Sequence, residues 1–217
     1  MTNNRELQER VINALAFEPS IDAAQIGVTV HDGVVTLRGS VTTFLQKSTA
    51  EHRASHVYCV RAIANDIEVL PSHDTRRSDP AIAEAAANAL DWNSAVPGKS
   101  VQVAVRNGWV TLSGTVHWQF ERAAAESCVR GLYGVKGVTS SIVVQPLVRT
   151  EDIKAKIESA FKRSAEIDAA QVHVDARDGQ VTLTGTVRSL SERREAERAA
   201  WSAAGVRLVD DRIAVAP

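Results

Sequence analysis

The chain has 217 residues, 44 % of them apolar but only 5 % aromatic, and a formal net charge of −1 from 25 Lys+Arg and 26 Asp+Glu. That balance argues against nucleic acid as the main partner, since phosphate backbones are held by a basic surface. Two cysteines, Cys59 and Cys128, make no disulfide framework, and the MTNNRELQER start has no apolar leader, so the expected location is the cytoplasm, with peripheral contact to a membrane allowed.

The first element is an amphipathic helix over about residues 5–17, with Leu7, Val11, Ala14 and Leu15 at helical spacing. Two strands follow: Ile26, Val28 and Val30 alternate with small or polar residues, and Val35, Leu37 and Val41 share a face of the second. Asp32-Gly33 joins them, a pair that suits a two-residue hairpin because both central positions take positive φ. A second helix around Ala50-Glu51 and a closing strand ending near Ile67 complete the unit.

The same unit then recurs. VTLRGSV (35–41) returns as VTLSGTV (110–116) and VTLTGTV (181–187), so Gly39 recurs as Gly114 and Gly185 at offsets of 75 and 71 residues. Helices are expected at about 79–91, entered through Asp79-Pro80, and at about 151–163, with Thr150 as N-cap. Hairpin turns are expected at Asn107-Gly108 and Asp178-Gly179. Gly39, Gly114 and Gly185 interrupt an apolar strand face, which points to close backbone approach or a bulge. Three repeats of this length mean tandem domains.

The predicted order α-β-β-α-β makes an α+β protein of three tandem αββαβ sandwiches, each a three-stranded sheet with two helices on one face. The domains are 1–70, 79–145 and 150–217, joined by linkers 71–78 and 146–149. The second linker is short enough to restrain the last two units relative to each other.

Taken together, a helix, the hairpin x-[DN]-G-x-V-T-L-x-G-[ST]-V, a helix and G-V-x-x-V-x-[NDS]-x-I-x-V resemble the BON domain, named for bacterial osmotically inducible and nodulation proteins. The resemblance covers about 190 of the 217 residues. It implies stress or envelope proteins of bacteria that attach to phospholipid membranes or bind small ligands, without catalysis; the expected function is binding of phospholipid headgroups or of a protein partner, with no cofactor. The alternative is a cytoplasmic sensor that holds an ion or small solute. Oligomeric state stays open. Cys59 departs from the pattern, standing where the sister copies have Gly134 and Gly205, so the first copy is expected to be distorted or non-binding at that turn.

No nucleophile or acid–base pair is triplicated, so no catalytic residue is assigned. His52, His56 and Cys59 form H-x3-H-x2-C, but no fourth ligand accompanies them and copy two offers Ser127, Gly131 and Gly134 instead. No metal site is assigned. Arg76-Arg77 and Arg193-Arg194 read as solvated surface.

The tryptophans discriminate between the copies, because three of four lie in the second. Trp118 replaces the cap residues Thr43 and Ser189, a change costing on the order of 1 kcal/mol. Trp92 ends the first helix of copy two. With Lys99 and His117 it is expected to share one tip with Trp118, aromatics beside a cation suiting a bilayer interface. Trp109 is out of phase with Val110 and Leu112 and belongs on the open sheet face, while Trp201 covers helix surface. Trp92, Lys99, Trp109 and Trp118 are therefore the candidate lipid- or partner-binding residues, with packing between domains as the alternative role of the three tryptophans.

Overall fold

The computed structural model describes residues 4–146, 152–164 and 171–216. Copy one comprises α1 (Asn4–Ala16), β1 (Ile26–His31), β2 (Val34–Val41), α2 (Phe44–Ser55) and β3 (Ala62–Val69). Copy two repeats the order as α3 (Asp79–Trp92), β4 (Val101–Arg106), β5 (Trp109–Val116), α4 (Gln119–Arg130) and β6 (Gly137–Val144). Copy three gives α5 (Ile153–Arg163), β7 (Val172–Arg177), β8 (Gln180–Val187), α6 (Leu190–Trp201) and β9 (Leu208–Val215). A 3-10 turn, Ala23–Gln25, precedes β1.

In every sheet the second strand is central. Trp109 pairs with Arg106 on one side, antiparallel, and with Gly137 on the other, parallel. Parallel pairing follows from the helix between β5 and β6, which carries the chain back to the end where β5 began. Alternation then puts Val110, Leu112 and Val116 under the helices, each completely buried, with Ile82, Ala86, Ala125 and Val129 packed over them. Copy three builds its core the same way around Phe161, which is 1 % exposed. Trp201 packs against the edge of that core.

The turn chemistry is as the sequence requires. Asp32 and Gly33 take φ of 47° and 77°, and the Asn107-Gly108 and Asp178-Gly179 turns follow closely. Close approach explains the strand glycine: a Cβ on Gly114, where φ is +141°, would lie 2.0 Å from the Ser100 carbonyl oxygen.

Three expectations need correction. Copy one is not distorted at Cys59, which takes φ of +70° beside 86° at Gly134 and 93° at Gly205. The cysteine accepts a left-handed conformation because its neighbours fix it. Such strain costs about 1–2 kcal/mol for a residue with a Cβ, so Cys59→Gly is expected to stabilise the protein by up to about 1 kcal/mol. Chemical denaturation of the variant beside the parent checks this. The second correction concerns α5, which begins at Ile153 with Asp152 before it and no side-chain cap bond; Thr150 lies outside the described residues. Likewise Pro80 is the second helical residue of α3, with Ser78 in the N-cap.

The chain divides into two compact units. Residues 1–39, 48–68 and 148–217 form one, and residues 40–47 and 69–147 the other. Copy three is thus grouped with copy one, which linker length alone did not indicate. Within that unit α6 docks on the end of α2. Arg194 reaches Glu51 at 2.8 Å and the Ser55 hydroxyl at 3.3 Å, and the Cys59 N–H donates to the Arg188 carbonyl at 3.1 Å. Arg188 also lies over the Tyr58 ring, 5.9 Å from its centre. Ser55 is fully buried as a result.

Candidate functional site

The start of α4 is where copy two differs most from its sisters. Trp118 occupies the N-cap with extended backbone and no side-chain bond, since an indole N–H can only donate and the orphan amides of a helix need an acceptor. Only the return half of the capping box, which the sister copies share, is kept. Glu121 turns its carboxylate back to accept the N–H groups of His117 at 2.8 Å and Trp118 at 3.0 Å. Gln46 accepts from Thr42 and Thr43 in copy one, and Glu192 from Arg188 in copy three. An acid or amide three residues after the cap is the signal in the sequence that could have shown this. The full box, with a cap side chain accepting as well, is present at Ser189-x-x-Glu192.

Freed from capping, the Trp118 ring stacks on Phe120, with centroids 6.5 Å apart and planes at 24°. Both stay in contact with solvent, at 39 % and 59 % exposure. Phe120 is a further candidate that the sequence reading passed over. In copy three the two positions are Ser189 and Ser191, joined by a 2.8 Å hydrogen bond.

The single tip expected of Trp92, Lys99 and Trp118 is split. Asn93, the residue after Trp92, donates through Nδ2 to the Cys128 sulfur at 2.9 Å. That anchors the end of α3 beside the last turn of α4, ten residues and about 15 Å of helix rise beyond Trp118. Trp92 projects there at 89 % exposure. Lys99 lies nearer Trp118, in the loop where the Ser100 carbonyl accepts from Thr115, and holds a positive φ of 65°.

Trp109 sits on the open sheet face as its phase demands, half exposed. Its ring lies across Gly137, where a Cβ would meet it at 2.6 Å, and its N–H donates to the Thr139 hydroxyl at 2.8 Å. Glycine at 137 is thus what lets the indole lie flush on the sheet.

His52 and His56 pack edge to face, 4.3 Å apart, beside the α2–α6 contact. Among the described residues no group of three or more His, Cys, Asp or Glu is arranged to hold a metal ion. Burial, then the neighbouring His56, Arg194 and Arg53, hold the His52 imidazole below its ordinary value. A histidine depressed in the folded state takes up its proton on unfolding, so stability is fully present above the unfolded value near 6.5 and declines as pH falls through it. The melting temperature is expected to drop between pH 7.5 and 5.5, and His52→Asn is expected to flatten that dependence.

A family model described as BON domain matches the chain three times, over residues 3–71, 78–146 and 149–217. The osmotically-inducible protein Y of Escherichia coli (strain K12) is 29 % identical over 137 residues, covering 61 % of this chain and 68 % of that protein. Among solved structures, CdsD, a structural protein of the type III secretion system of Chlamydia trachomatis, aligns over 98 % of this chain and 93 % of its own at 16 % identity, with a TM-score of 0.28. The PrgH periplasmic domain aligns over 95 % and 100 % at 10 % identity, with a TM-score of 0.23. Scores that low do not establish a shared fold.

Proposed function

The chain belongs to the BON domain family, and from that premise we propose that it is a non-enzymatic protein of the osmotic-stress class that binds phospholipid surfaces through copy two. The observation that carries this reading is the stacked, solvent-exposed Trp118–Phe120 pair at the start of α4. Exposed aromatic pairs cost solubility and mark a surface with a partner. An indole beside a polar helix end is suited to the headgroup layer, where one edge meets acyl chains and the other meets water. The likeness to an osmotically inducible protein supports the stress class. Among the described residues no helix is long and apolar enough to cross a membrane, so contact through this pair is peripheral.

Co-sedimentation of the full chain with phosphatidylglycerol-containing vesicles tests the reading. The double variant Trp118→Ser, Phe120→Ser is expected to bind at least about tenfold more weakly, each ring contributing roughly 1 kcal/mol or more of interfacial burial. Unchanged binding by a folded double variant would remove the site. Retention by a protein partner with no vesicle binding would move the reading to its protein-binding form.

A further inference from the structure

A second feature of copy two, away from the aromatic pair, concerns the hollow where segment 71–78 meets α3. Its volume is about 350 Å³, and its lining includes Leu70, Arg76, Arg77, Ser78, Asp79 and Lys136, all in the second compact unit. Three cations therefore face one carboxylate. Asp79 cannot neutralise them freely, because its two oxygens accept the N–H groups of Asn107 at 2.6 Å and Gly108 at 2.8 Å, which ties it to the hairpin turn.

The cations themselves are not ion-paired among the described residues. Arg77 donates only to the carbonyls of Asp74 and Arg76, at 2.9 and 2.8 Å, and rests 5.9 Å from the centre of the Tyr133 ring. Ser78, the N-cap of α3, makes no side-chain cap bond, so its hydroxyl is free to donate. A basic side chain lies against the hairpin glycine in every copy, as Arg61, Lys136 and Arg207. In copy three Arg207 is spent on the Asp178 carbonyl. Only copy two adds an arginine pair, its counterparts before copy three being Leu147 and Val148. The doublet that reads as solvated surface in the sequence thus lines a concave, net-positive site.

We propose that this hollow binds a phosphate group carrying a small polar or apolar tail. Guanidinium forks match phosphate oxygens in pairs, and the amino end of a fourteen-residue helix adds its partial positive charge. The volume exceeds what one phosphate needs, and the exposed side of Leu70 gives a tail an apolar wall. Glycerol phosphate has this chemistry, whether as a free solute or as the headgroup of a lipid. The proposal is independent of the Trp118 surface.

Amide spectra of the full isotopically labelled chain would be followed during titration with inorganic phosphate, with glycerol 3-phosphate, and with phosphatidylglycerol vesicles, each against sodium chloride at equal ionic strength. Saturable shifts are expected at Ser78, Asn107, Gly108 and Lys136, stronger for glycerol 3-phosphate than for inorganic phosphate. Lys136→Gln and Arg76→Gln are each expected to weaken the effect about tenfold. Both are exposed changes, and an unchanged melting temperature shows that the variants fold. A response to the soluble phosphates assigns the site to a solute, and a response to vesicles alone assigns it to a headgroup; either supports the proposal. No saturable shift with any probe, an equal shift with chloride, or an undiminished shift in both the Lys136→Gln and the Arg76→Gln variant would overturn it. Vesicle binding lost in the Trp118 and Phe120 variant while these shifts persist would separate the two sites.

Discussion

Gly114→Ala is expected to destabilise copy two by on the order of 4 kcal/mol. The methyl group would sit 2.0 Å from the Ser100 oxygen, at a φ of +141° that residues with a Cβ do not adopt. Neither part can relax alone, because Val101 and Gly114 are paired partners in the hairpin and Ser100 leads directly into that strand. Domains of this size have roughly 3–10 kcal/mol in total, so one methyl group removes much of the margin. Hydrogen exchange read by mass spectrometry should show loss of protection throughout β4 to β6. Parent-like protection there would mean that the close approach is not what demands glycine.

Phe161→Ala is expected to cost copy three about 3–5 kcal/mol, the range for deleting a buried ring from a core. Among the described residues Phe161 is the largest fully buried side chain, and it closes α5 over the sheet. The consequence reaches copy one. When copy three opens, Arg194 leaves Glu51 and Ser55, and the end of α2 loses the surface that buries Ser55 completely. Exchange should therefore rise in peptides from α2 as well as in copy three. A rise confined to copy three would show that the α2–α6 contact contributes nothing to copy one.

The fold was legible because its determinants are local and written three times. Asp-Gly and Asn-Gly can form tight hairpins only with positive φ, and the strand glycine appears in phase with a buried face in each copy. Order and register then follow from alternation. What stayed hidden depends on contacts distant in sequence. Nothing near Asn93 announces a bond to Cys128, 35 residues on, so the end of α3 was assigned to the wrong end of α4. The grouping of copy three with copy one rests on Arg194 and Glu51, 143 residues apart. Cys59 misled for a different reason: propensity disfavours it at that turn, yet the surrounding structure holds it in the conformation glycine would choose.

At the candidate site the odd residue was legible and its consequence was not. Trp118 stood out against Thr43 and Ser189, but its stacking on Phe120, two residues on, was not written in any single-residue comparison. This changes what Trp118→Ser alone should do. A serine regains about 1 kcal/mol of capping and gives up about 0.5–1.5 kcal/mol of stacking on Phe120, so stability should hardly move while membrane binding falls.

The most direct test uses the 217-residue chain with Trp92, Trp109 and Trp201 replaced by phenylalanine, so that all indole emission comes from Trp118. Adding phosphatidylglycerol vesicles should shift that emission to shorter wavelength and make it quenchable by brominated lipid, whereas vesicles of neutral lipid should do so less. An emission maximum that stays put, with no quenching at saturating lipid, would contradict the assignment of this surface to membrane binding.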